Sequence, residues 1–230
     1  MNADTSLYKR LLKKKEGDTQ SPAENFLRVY KNNFYNSKKL NCLDLGCGSG
    51  RHTDFLLNES HSVLATDISR AAIELAKVRI PNFDNFFLYK NFDEFELFLS
   101  NSSFDIVVCW ETIHFFKNLD EIIKLLTLIR KKLSKKGKLI VTFPAEDHYL
   151  LKNKKVSSYT YTIKEKERKG MKITAPPLKV LKKIFKKLDY NILSIYKYSH
   201  GREIYNKKML SMHSSSLKKL FSMYAFLLST

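Results

Sequence analysis

Residues able to do chemistry crowd between positions 44 and 67. Three of the chain's seven glycines, Gly46, Gly48 and Gly50, fall within five positions, directly after the run Leu43–Asp44–Leu45. An apolar run that stops at glycines and resumes as "RHTDFLL" reads as a strand turning sharply into a helix. Glycine serves such a turn in two ways: it takes backbone angles closed to residues with a Cβ, and it lets a ligand touch the main chain. A helix starting near Arg51 also offers unpaired amides to a carboxylate or phosphate. Asp67 ends the next apolar run, "SVLATDIS", 21 residues beyond Gly46. An acid so placed accepts hydrogen bonds from ribose hydroxyls. Together these residues predict a nucleotide-like ligand lying over the carboxyl end of a strand.

The spacing narrows the ligand. A Walker loop needs Gly-Lys-Ser/Thr, whereas Gly50 is followed by Arg51 and His52. A dinucleotide fingerprint places its third glycine three positions after the second, where this chain has Arg51. What stands is Asp44-x-Gly46-x-Gly48-x-Gly50, which resembles the first motif of the class I S-adenosylmethionine-dependent methyltransferases. "FDIVVCWETIHFF" resembles that family's fourth-strand motif, and "LSKKGKLIVTF" the segment that follows it. The resemblance covers about residues 40–145 and points to the small-molecule branch, which includes tellurite- and ubiquinone-type enzymes.

The resemblance implies S-adenosyl-L-methionine as cofactor, held by Asp44, Gly46, Cys47, Gly48, Gly50, Asp67, Ile68, Asn91, Phe92 and Trp110. Many relatives carry an acid after the third strand, where it meets the adenine amino group. This chain has "YKNFDEF", so Asn91 offers an amide oxygen, Asp93 is the alternative, and Phe92 packs on the ring. The implied reaction moves a methyl group to an O or N atom of a small-molecule acceptor, with no metal. A base is needed only where the acceptor loses a proton. His114 and His148, each just beyond a strand end, are the catalytic candidates, with a buried structural imidazole as the plainer reading. Arg28 either reaches the methionine carboxylate or forms a surface salt bridge. Trp110 lines the site or packs in the core. Alternatives are a methyltransferase docking RNA or an acidic carrier protein on basic residues 151–190, and a non-catalytic S-adenosylmethionine-binding protein.

These residues need a scaffold. Strands are expected at 40–46, 62–69, 85–91, 103–110 and 137–144, alternating with helices at 51–60, 69–80 and 118–133, the last capped by Asn118. Such alternation predicts an α/β fold with a parallel sheet covered by helices on both faces; the resemblance implies its Rossmann-like form, seven mostly parallel strands with the last one antiparallel. A helix over 21–34, within an N-terminal helical segment 21–40, is expected to start at Ser21 and Pro22. After strand five, residues 146–177 read as a substrate-side insertion. It contains a hairpin around Tyr159, Tyr161 and Ile163 that turns near Gly170. "LKVLKKIFKKL" is an amphipathic helix, and two late strands, "YNILSIYKY" and "LFSMYAFLLS", close the sheet. Residues 1–230 form one domain in this reading, with 1–20 a mobile segment.

The chain carries a formal net charge of +18, and 33 of its 41 basic residues are lysine. Thirteen Lys or Arg stand against three acids in 151–190, so the excess is concentrated after the midpoint. The reading is a solvated lysine surface or an electrostatic landing site. Three cysteines with no CxxC pair read as reduced thiols rather than a zinc site. No apolar run long enough to span a membrane and no secretory segment is seen, so the expectation is a cytoplasmic protein.

Overall fold

The computed structural model describes residues 21–35, 37–152, 154–163, 170–201 and 220–230. Helices are α1 Glu24–Phe34, α2 Arg51–Asn58, α3 Arg70–Arg79, α4 Phe92–Phe98, α5 Leu119–Lys132 and α6 Leu178–Lys187. Strands are β1 Asn41–Leu45, β2 Ser62–Asp67, β3 Phe86–Leu88, β4 Phe104–Cys109, β5 Leu133–Pro144, β6 Lys154–Ser157, β7 Thr160–Thr162, β8 Lys172–Thr174, β9 Asn191–Gly201 and β10 Leu220–Ser229. The main sheet has seven strands in the order β3-β2-β1-β4-β5-β10-β9. Only β10 runs against its neighbours, pairing antiparallel with both β5 and β9. The Rossmann-like architecture expected from the sequence is the one observed.

Strands buried on both faces read as nearly continuous apolar runs, as β4 does from Ile106 and β5 from Leu139. Alternate residues therefore feed two cores. Leu43, Val107, Val141 and Phe226 point to one side, beneath α4, α5 and α6. Cys42, Ile106, Val108 and Ala225 point to the other, beneath α1 and α2. Ile73 of α3 packs on Ala65, and Phe83 joins that contact to the second core, so α3 lies on the same side.

Two helices start with nearly the same five residues. In "KNLDE", Asn118 Oδ1 accepts the Glu121 N–H at 3.0 Å, and the Glu121 carboxylate accepts the Lys117 N–H at 2.9 Å. In "KNFDE", Asn91 Oδ1 accepts the Glu94 N–H at 2.9 Å, and Glu94 accepts the Lys90 N–H at 2.8 Å. Each asparagine satisfies an otherwise orphaned helix donor. The helix α4 that follows Asn91 is absent from the sequence reading, which ran the third strand to Asn91 and set Asn91 and Phe92 beside the adenine.

Other differences are local. Helix α1 begins at Glu24 with Ala23 before it and no side-chain cap, so Ser21 and Pro22 lie outside it. The expected hairpin is part of a separate three-stranded sheet, β6-β7-β8, and Tyr159 sits in the turn before β7. This small sheet has its own apolar cluster of Tyr149, Leu150, Ile163 and Ile173. Glu146 fastens its base: Oε1 accepts the Leu178 N–H that opens α6 at 2.8 Å, and Oε2 accepts the Tyr224 hydroxyl at 2.7 Å. The expectation for residues 1–20 lies outside the described residues. Among those described, no helix is long and apolar enough to cross a membrane, and no group of three or more His, Cys, Asp or Glu side chains is placed to hold a metal ion.

Candidate functional site

Parallel pairing fixes which residues meet. Leu45 stands beside Thr66, Asp44 beside Val108, and Cys109 beside Val141, so β1, β2, β4 and β5 all end at one edge of the sheet. That edge gathers the glycine turn, Asp67 and the segment Trp110–Thr112.

The turn is built by main-chain bonds. Thr66 O accepts the Gly46 and Cys47 N–H groups at 2.8 and 3.0 Å, and Gly50, at φ +84°, opens α2. Gly46 has φ +74°, and a Cβ built on it would lie 2.3 Å from both Oγ1 and Cγ2 of Thr112. A Cβ on Gly50 would press on Ala76 Cβ of α3 at 3.1 Å. The missing side chains at these two positions are therefore explained by neighbouring protein and by backbone angle. Of the two reasons for glycine given by the sequence, the backbone angle is the one met at these two positions, joined by close contact with neighbouring protein. Thr112 was missed because nothing in "CWETIH" says which backbone its side chain will touch.

Asp67 is buried and held by the main chain. Gly48 N–H donates to Oδ2 at 3.0 Å and Ser69 N–H to Oδ1 at 2.8 Å, and the Ile68 N–H also bonds the carboxylate. A carboxylate has about four acceptor positions, so capacity remains for a sugar hydroxyl. Burial raises its pKa against those three bonds. Asp44 is fully buried, and its Oδ2 accepts the Thr53 hydroxyl at 2.6 Å, which ties β1 to α2. Burial, with Asp67 adding to it, pushes Asp44 up to about 6 against the Thr53 hydrogen bond and the Arg51 charge. Two sequestered carboxylates that repel across the turn suit a ligand that brings positive charge and hydroxyl donors. A sulfonium nucleoside with an amino-acid tail is such a ligand, and the residues present fit it.

Glu111 follows β4 in a backbone conformation rare for a side chain, φ +53°. Such a residue costs about 1–3 kcal/mol and persists only where its surroundings over-determine it. Here the Glu111 N–H donates to Thr142 Oγ1 at 2.7 Å, and the Thr112 hydroxyl reaches the carbonyls of Trp110 and Gly46 at 3.0 and 3.3 Å. The Glu111 side chain meets Arg51, at the start of α2, with 3.5 Å from Oε2 to the guanidinium. This pair spans the edge between the glycine turn and β4.

The other candidates divide. Cys47 is buried among the turn residues, and burial pushes its thiol well above the ordinary range. Ile68 is half-buried against the first core. Asn91 has its amide oxygen engaged as the α4 cap, and Phe92 packs partly on the first core. Trp110 is 4 % exposed and sits in the second core, its ring 5.7 Å from Phe26 and stacked at 5.6 Å on Tyr198. Arg28 pairs on the surface with Glu24 at 3.5 Å. His114 is 9 % exposed in the 3-10 turn after β4, with its ring 4.2 Å from Phe115. His148 is 4 % exposed, and its Nδ1 accepts the Leu150 N–H at 3.2 Å. That bond assigns the proton of a neutral ring to Nε2, making the ring a donor there rather than a base.

His52 is buried against Phe26, with ring centroids 4.4 Å apart, and its Nε2 accepts the Ala23 N–H at 3.4 Å. Burial first, and Arg51 second, hold its pKa well below 6.5. The unfolded chain then binds the extra proton, so this group's contribution to stability is whole above pH 6.5 and is lost as pH falls below it. Asp44 acts oppositely, because its raised pKa adds stability as pH falls through about 6. Comparing the wild type with His52→Phe isolates the histidine. Between pH 7 and 5 the wild type is expected to lose ~2 kcal/mol more than the variant in urea unfolding.

A Rossmann-like sheet with a glycine turn and an acid at the next strand's end defines a nucleotide-binding α/β protein. Within that class, the family model described as "Methyltransferase domain" matches residues 9–195, so the chain belongs to that family. It is a methyltransferase, and its cofactor is S-adenosyl-L-methionine. No curated protein matches the sequence. Among solved structures, a SAM-dependent methyltransferase from Archaeoglobus fulgidus is 16% identical, with 97% of this chain and 100% of that one covered at TM-score 0.67. One from Methanosarcina mazei is 15% identical, with 91% and 98% covered at 0.68. Magnesium protoporphyrin IX methyltransferase from Synechocystis PCC 6803, solved with bound SAH, is 14% identical, with 98% and 95% covered at 0.65. At such identities these likenesses establish the fold.

Proposed function

We propose that the protein transfers a methyl group to an O or N atom of a small molecule. The observation that carries this reading is the shared edge where the Asp67 carboxylate, the Gly48 main chain and Glu111 with Arg51 converge. Bound there, the cofactor supplies a methyl group on a positively charged sulfur, a leaving group that needs little further activation. Asp67 holds the ribose, Asp44 and the turn face the charged end, and the β6–β8 sheet lies on the acceptor side and excludes water. This sheet touches the turn after β4, where the Thr174 hydroxyl donates to Phe116 O at 2.9 Å. Orienting two reactants in line can supply ~7–11 kcal/mol of a barrier, so the protein's task is chiefly aim. The test is S-adenosylhomocysteine formation from S-adenosylmethionine in the presence of a small-metabolite extract, with a mass gain of about 14 located on the product. Methyl-donor turnover that needs macromolecules larger than the extract contains would overturn the small-molecule reading.

A second reading has one observation behind it. Lys179, Lys182, Lys183, Lys186 and Lys187 are all exposed on α6, and none forms an ion pair with a described acid. If this stripe docks RNA, log affinity falls steeply with log salt, because each neutralised phosphate releases counterion. Weak, salt-insensitive RNA binding removes this reading.

A further inference from the structure

We infer that Glu111 is the group that accepts the proton of the methyl acceptor. The inference rests on the small-molecule reading above and deepens it, since it implies an acceptor bearing an O–H or N–H. Four observations converge. Glu111 takes a strained φ of +53° at the carboxyl end of β4, and bonds made by Thr142 and Thr112 hold that segment in place. Its side chain is 31% exposed, whereas both expected histidine bases are buried. Oε2 faces Arg51 at 3.5 Å, and Oε1 has no hydrogen-bond partner among the described residues. Through Thr112, the same segment packs on Gly46 of the cofactor turn. A rigid strand end thus presents one free carboxylate oxygen beside that turn.

The step balances simply. The acceptor's lone pair forms a bond to the methyl carbon as the carbon–sulfur bond breaks, its electron pair staying on sulfur. The acceptor's proton passes to Glu111 Oε1, and S-adenosylhomocysteine is released. Arg51 is a positioning residue that keeps the carboxylate over the edge.

The experiment compares Glu111→Gln, Glu111→Gly and Arg51→Met with the wild type. Three readouts are taken: S-adenosylhomocysteine affinity by calorimetry, melting temperature, and S-adenosylhomocysteine release with the small-metabolite extract. Glu111→Gln is expected to bind S-adenosylhomocysteine within about threefold of wild type and to melt at the same temperature. It should lose about 100-fold or more in release, the usual range for a general base. Arg51→Met should lose at least tenfold less than Glu111→Gln. Glu111→Gly should melt no lower than wild type, because glycine accepts the positive φ. Release by Glu111→Gln within threefold of wild type, or equal losses in Glu111→Gln and Arg51→Met, overturns the assignment. The underlying reading fails separately, if the wild type gives no release with the extract.

Discussion

Asp67→Ala is expected to weaken S-adenosylhomocysteine binding by about 100-fold. Two effects add. The sugar loses a charged acceptor, worth ~1.5–3 kcal/mol, or roughly 10- to 150-fold. The Gly48, Ile68 and Ser69 N–H groups also lose the carboxylate that now fixes them, so the loop that should meet the ligand is released. Asp67→Asn keeps only one of the two main-chain acceptors, because its NH2 group must face either the Gly48 or the Ser69 N–H. It should sit between wild type and Asp67→Ala in affinity and melt below wild type. Calorimetry at fixed pH reads the affinity. A dissociation constant for Asp67→Ala within threefold of wild type would place the sugar elsewhere.

The second large effect concerns stability without ligand. Gly46→Ala is expected to cost about 3 kcal/mol, from a left-handed backbone angle, ~1–2 kcal/mol, and overpacking, ~1–3 kcal/mol. The overpacking has a named source in the Thr112 side chain, which already fills the space a Cβ would take. In a chain of 230 residues this corresponds to a melting temperature lower by roughly 6–12 °C. Thr112→Gly empties that space, so Gly46→Ala should cost less in its presence by at least about 1 kcal/mol, the residue being the backbone angle alone. Strict additivity would show that the two side chains do not compete. A ligand-free protein indifferent to Gly46→Ala would return this glycine to a purely ligand-contact role.

The comparison of the two helix starters locates the limit of sequence reading. "KNLDE" is followed by a long amphipathic run, and its helix is plain from periodicity; "KNFDE" is followed by only two turns, too few for periodicity to stand out. The cap was there to be read in both. The cap engages the Asn91 amide oxygen, the atom that the resemblance offered to the adenine. Ser21 erred the other way, a good cap residue with no helix immediately after it.

For Trp110 and the histidines the sequence left two readings open, a place in the site or burial in the core. Their positions in the chain place them at strand ends, but exposure depends on what packs above. Trp110 is covered by Phe26 and Tyr198, from segments that sequence order sets far apart.

The sequence by itself determined the alternation of strands and helices, the glycine turn and the acid at the end of β2, because these are periodic or local signals; the antiparallel last strand was implied by the family resemblance. Only the tertiary structure decided that Thr112 occupies the space above Gly46, that Arg51 faces Glu111, and which polar side chains are sealed. Those outcomes are set by contacts between residues about 60 positions apart, such as Arg51 and Glu111, and a linear pattern carries no record of which side chains will meet.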